Sequence, residues 1–149
     1  MSLQTEIMDA LKTAMKEKNT VTLEALRAVK SAILLAQTES GAKEELSEAE
    51  ELKLLQKLVK QRKDSAVIFS QQGRNDLAEP ELAQVAVIEQ FLPKQLSESE
   101  IAEVIAEIIT QTGANSMADM GKVMGLASTQ LAGKADGKTI SSIVKNKLG

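Results

Sequence analysis

A chain of 149 residues fits one or two small domains, and a globular chain of this size buries about 70% of its extended surface without needing staples. It contains no Cys and no His, which excludes disulfides, thiolate nucleophiles and most zinc sites, and removes the side chain that most often serves as a base near neutral pH. Eighteen basic residues against 21 acidic ones leave a net charge of −3, so a nucleic-acid partner has to meet a local patch rather than a basic coat.

Apolar residues recur at helical spacing from end to end and nowhere alternate over a strand-length window, which predicts an all-α chain of about seven helices. Leu3, Ile7, Leu11 and Met15 mark a first helix stopping near Asn19, and Leu23, Leu26, Val29 and Ile33 mark a second. After the loop ESGAKEE, Ser47 and Glu50 form a capping box that opens a long third helix. Leu52, Leu55, Val59, Ala66 and Phe69 line one of its faces, with Arg62 on the same stripe. Its charges pass from Glu48, Glu50 and Glu51 to Lys53, Lys57, Lys60, Arg62 and Lys63, as the helix dipole favours.

Gly73 should end this helix, and Asn75 or Asp76 can cap a fourth that carries Leu82, Val85, Ile88 and Leu92, with Pro80 acceptable only near its first turn. Pro93 and a second capping box, Ser97 with Glu100, mark the clearest boundary. The expected division is an N-terminal four-helix part, 1–92, and a C-terminal three-helix part, 97–149. In the second part Ile101, Val104, Ile105, Ile108 and Ile109 mark helix five, which has no basic residue between Ser97 and Thr112. Helix six is expected from a Ser116 cap, with Asp119 three residues on, through Met120, Val123, Met124 and Leu131 to Gly133. Helix seven follows Asp136 and carries Ile140, Ile143, Val144 and Leu148.

Few residues suit catalysis. Ser141 and Ser142 lie close to Lys138 and Lys145, but adjacent residues on a helix point in different directions and no glycine spacing suggests an oxyanion hole. GKVMG and GKADGK follow no strand and are not a P-loop. No acidic run resembles a calcium loop. The expectation is therefore no catalytic residue, no metal and no cofactor. The start of the chain lacks a signal-peptide core, Glu6 and Asp9 do not suit a transit peptide, and no segment approaches a membrane span, so a cytoplasmic protein without membrane contact is expected.

Two polar clusters remain. In KQRKDSAVIFSQQGRNDLA, Arg62 on an apolar stripe calls for a partner, with Asp64, Asp76 and Glu89 as candidates; together with Arg74 these residues read as a polar clamp on the helix three to four hairpin, or as a ligand site. The second cluster is Lys122, Lys134, Lys138, Lys145 and Lys147 around an elbow with Gly121, Gly133 and Gly137. Such lysines can bind phosphates or complement a helix dipole. With only Phe69 and Phe91 as aromatics, both at core-like positions, there is no stacking platform, so any RNA contact is to backbone and shape. Met117, Met120 and Met124 read as core filler.

The ordered motifs KQRKDS, IF and GRNDLA, then FLPKQLSESEI, MGKVM and GKADGK, closely resemble the GatB/YqeY family in its free-standing YqeY-like form, across essentially the whole chain. The resemblance implies a helical protein of two subdomains, similar to the tail of the B subunit of glutamine-dependent aspartyl/glutamyl-tRNA amidotransferase. In that enzyme the tail engages tRNA, while amide hydrolysis and activation lie elsewhere. Gly121, Lys122, Val123 and Met124 match the tail's helix-six signature, and Gly133, Lys134, Ala135 and Lys138 its elbow. Asp136 and Gly137 stand where the tail commonly has Asn-Pro, and Gly125 where Lys is frequent, which removes a positive charge and softens the elbow. The resulting expectation is a non-catalytic, tRNA-directed or translation-associated accessory module, with tRNA, an amidotransferase or another protein as partner. The alternatives are an adaptor using the helix three to four hairpin and, third, an amidotransferase-associated enzyme activity.

Overall fold

The computed structural model describes residues 2–39 and 45–149. Among them are seven α-helices, one short 3-10 turn and no strand, an all-α fold. They divide into two compact units, Met1–Leu92 and Pro93–Gly149. The middle of the expected loop ESGAKEE, 40–44, lies outside the described residues.

The first unit contains α1 (Leu3–Glu17), α2 (Thr20–Glu39), α3 (Glu48–Gln71) and α4 (Asn75–Glu89). Leu3, Ile7, Leu11 and Ala14 of α1 pack with Ala25, Leu26, Val29 and Ile33 of α2, Leu55 and Val59 of α3, and Val85 and Ile88 of α4. The fourth core position of α1 is Ala14; the expected Met15 is half exposed at 53%. Each step of four residues overshoots a full turn by about 40°, so a step of three is needed after Leu11 to return to the stripe. The α1 helix ends at Lys18 in the left-handed region, φ 54°, with its N–H bonded to the Ala14 and Met15 carbonyls.

Both arms of the Ser47–Glu50 capping box form, at 3.2 and 2.8 Å, fixing the start of α3. Its partner α4 departs from expectation at four points. Arg74 occupies the N-cap position without a side-chain cap bond, so neither Asn75 nor Asp76 fills that role. Pro80 is the sixth helical residue, beyond the first turn, where it leaves the Asp76 carbonyl without its helical donor. Leu82 is 50% exposed while Ala78 is buried, because the stripe centred on Val85 and Ile88 leaves Leu82 on its rim. The helix also stops at Glu89, before Leu92.

The second unit contains α5 (Glu98–Thr112), the 3-10 turn Met117–Asp119, α6 (Met120–Gln130) and α7 (Gly137–Leu148). The Ser97–Glu100 capping box forms with both bonds at 3.2 Å. Gly113, φ 69°, closes α5 with its N–H on the Ile109 carbonyl. Ile101, Ile105 and Ile108 pack against Val123, Ala127 and Leu131 of α6, and Ile140, Val144 and Leu148 of α7. Met120 and Met124 join this core, whereas Met117 is 45% exposed. Ser116 makes no side-chain cap bond, and the 3-10 turn intervenes before α6; Asp119 instead accepts the Asn115 N–H at 3.2 Å.

Candidate nucleic-acid interface

The α6–α7 hairpin carries the five candidate lysines. The two helices pack on one another, and α7 also reaches the 3-10 turn at the head of α6, so they run back along each other. This arrangement divides the lysines. Lys134 in the elbow and Lys138 in the first turn of α7 occupy one end, while Lys122 in the first turn of α6 and Lys145 and Lys147 in the last turn of α7 occupy the other. Helices of 11 and 12 residues set the two groups about 15 Å apart. All five side chains are exposed, and none makes an ion pair among the described residues.

The elbow owes its shape to three local features. Gly133 is buried with φ 76°, a conformation that costs a side-chain-bearing residue about 1 kcal/mol or more, so glycine is favoured there. Asp136 caps α7 by accepting the Thr139 N–H at 3.2 Å and its hydroxyl. Partial burial opposes ionisation of the Asp136 carboxyl, but the bonds from Thr139, together with backbone N–H groups, outweigh it and hold the group below the usual carboxylate range. From Gly121 to Gly149 this is the sole side-chain carboxylate, and it is engaged in capping. Gly121, Gly125 and Gly137 have open space around the Cβ each lacks, so packing does not demand glycine at these positions.

The sequence marks Pro93–Leu96 as a boundary segment but does not place it beside the elbow. The Gln95 side-chain amide donates to the Pro93 carbonyl at 2.9 Å and to the Gly133 carbonyl at 2.7 Å, and the Leu96 N–H donates to the Lys134 carbonyl at 3.0 Å. A bond spanning 38 residues has no local signature; the available signal was the pairing of FLPKQL with the elbow motif in one resemblance.

The polar clamp of the first unit is not one cluster. Arg62 is half-buried, but its Nε donates to the Gln84 side-chain oxygen at 2.9 Å and its Nη1 to the Leu58 carbonyl at 3.2 Å, and no carboxylate among the described residues pairs with it. Antiparallel packing around Gly73 sets Gln84 opposite Arg62; Asp64, two residues on, points about 200° away around α3. Asp64 pairs with Lys60 at 2.8 Å, Arg74 with Asp76 at 3.0 Å, and Glu89 with Lys63 at 3.1 Å. The Lys63–Glu89 pair ties α3 to α4; the other two are local and solvent-facing, worth little to stability.

Ser141 and Ser142 make no side-chain hydrogen bond to Lys138 or Lys145 among the described residues, and no group of three or more carboxylates there is placed to hold a metal. Among the described residues no helix is long and apolar enough to cross a membrane.

Comparison with known proteins places this architecture in a family. The Yqey-like protein family matches residues 4–148. An altered inheritance of mitochondria protein 41 from Clavispora lusitaniae is 36% identical over 107 residues, 70% of this chain and 61% of that protein. Its counterpart from Pyrenophora tritici-repentis is 30% identical over 144 residues, 93% of this chain and 77% of that protein. A subunit of the glutamyl-tRNA(Gln) amidotransferase from Thermococcus gammatolerans is 37% identical over 73 residues, 46% of this chain but 12% of the subunit. The chain thus spans about three fifths of the first of these relatives and about an eighth of the amidotransferase subunit. With a match running through both helical units, the chain belongs to the family of YqeY-like proteins.

Proposed function

We propose that the chain is a non-catalytic, translation-associated module whose α6–α7 hairpin contacts the phosphate backbone of folded RNA, tRNA being the favoured partner. One observation carries the reading: between Gly121 and Gly149 five exposed lysines, none ion-paired among the described residues, face a single capping carboxylate, in a protein whose net charge is −3. The similarity to a subunit of a glutamyl-tRNA(Gln) amidotransferase supports RNA over other polyanions. Acidic α5, with Glu98, Glu100, Glu103 and Glu107, packs behind the hairpin, so the unit is polarised and a polyanion is steered to its basic side. No aromatic accompanies the lysines, so recognition is of backbone and shape, not of bases.

Filter binding of folded tRNA at two salt concentrations tests this reading. About three phosphate contacts give a slope of log affinity against log salt of roughly −2 to −3, and each of Lys122→Ala, Lys134→Ala and Lys138→Ala lowers its magnitude by about one. Affinity that is undetectable at low salt, or indifferent to all three changes, overturns the RNA role.

A second reading has its own observation. Val67, Ile68, Leu77 and Leu82 on the α3–α4 hairpin are 38–55% exposed, an apolar surface that suits a protein adaptor. Binding through that surface would be far less sensitive to salt than a phosphate contact.

A further inference from the structure

The bonds that join Pro93–Leu96 to the elbow bring a sixth lysine to the basic surface. Lys94 lies two residues before Leu96, hence within about 7.6 Å of its Cα, and the Leu96 N–H is bonded to the Lys134 carbonyl. The Lys94 side chain is exposed and makes no ion pair among the described residues. We propose that Lys94 joins Lys134 and Lys138 as a phosphate contact and that Gln95 is the positioning residue that holds Lys94 against the elbow.

Three features support the assignment, which rests on the reading of the hairpin as a polyanion surface. First, the elbow is a fixed anchor: Gly133 is buried in a left-handed conformation and Asp136 caps α7 on its far side. Second, Gln95 uses both amide hydrogens, one on its own segment at Pro93 and one on the elbow at Gly133, so its side chain ties the two segments at a defined separation. Third, the acids nearest in sequence are committed or belong to α5. Glu100 accepts the Ser97 N–H in the capping box and feels the Lys94 charge only at a distance, without an ion pair, and Asp136 accepts from Thr139, so Lys94, Lys134 and Lys138 are held by no carboxylate among the described residues. A lysine is suited to this role because its ammonium acts as a point charge on a flexible stem and needs no planar alignment.

The test uses the full chain, folded tRNA and inorganic polyphosphate as probes, and Lys12→Ala in the first unit as a control. Lys94→Ala should lower the magnitude of the tRNA salt slope by about one, as Lys134→Ala does, with the melting temperature unchanged and the control inert. Gln95→Leu should lower affinity several-fold in the natural background and have no further effect in a Lys94→Ala background; a merely structural loss would lower affinity in both. Polyphosphate bound in a Lys94-dependent manner, with tRNA unbound, upholds the site and removes the RNA reading. Binding of tRNA that depends on Lys134 but not on Lys94 overturns this inference alone. A Lys94 effect without the Gln95 dependence overturns the positioning role, and binding of neither probe at low salt overturns both proposals.

Discussion

Asp136 stands alone among the lysines of the C-terminal hairpin because its carboxylate is doing a backbone task. With Glu100 it titrates in the folded chain below the ordinary carboxylate range, Asp136 through its Thr139 bonds and Glu100 through the Ser97 N–H and hydroxyl. The folded value lies below the unfolded one, so the contribution to stability is present above about pH 4 and is lost as the pH falls through the folded value. Thermal unfolding followed from pH 6 down to pH 2.5 should show the melting temperature fall below about pH 4. Asp136→Asn, which keeps a capping oxygen without the titration, should lose little at pH 7 and fall less steeply in acid. These caps were legible in the sequence because a capping box is a four-residue event, complete at Ser47–Glu50 and Ser97–Glu100. The partner of Arg62 was not, since choosing Gln84 over Asp64, Asp76 or Glu89 requires the register of two packed helices, and a rule that buried charge seeks opposite charge points to the wrong residue.

Elements were legible wherever periodicity and punctuation agreed, as at α5, with its capping box at one end and Gly113 at the other. Misassignments arose where a stripe was extended by constant steps, placing Met15 inside in place of Ala14, or where a helix began without a cap, as α4 does. The glycines separate two physical roles that sequence alone merges. Gly125 sits in the interior of α6 with open space around its missing Cβ, so Gly125→Ala should stabilise the protein by about 0.5–1 kcal/mol. Gly133, at φ 76°, should respond oppositely, Gly133→Ala costing about 1 kcal/mol or more and loosening the elbow that Gln95 and Leu96 hold. Urea unfolding of both variants, compared by midpoint at constant slope, checks the pair. Similar losses at both positions would mean that α6 needs its glycine for contacts the structure does not contain.

At the scale of the whole molecule, the two candidate surfaces lie on different units. The basic surface belongs to the hairpin of the second unit, and four exposed apolar side chains belong to the α3–α4 hairpin of the first. The all-α class was legible from periodicity throughout, and the candidate lysines from local composition. Their division between the two ends of a hairpin, and the approach of Lys94 to one of them, depend on tertiary contacts. Backbone amide NMR of the full chain titrated with folded tRNA at low salt bears most directly on the central claim, since it reports both surfaces at once. Shifts should concentrate at 94–96, 121–125 and 133–147 and reverse on addition of salt. Absence of shifts at low salt, or shifts centred on Val67, Ile68, Leu77 and Leu82 that persist in salt, would contradict it.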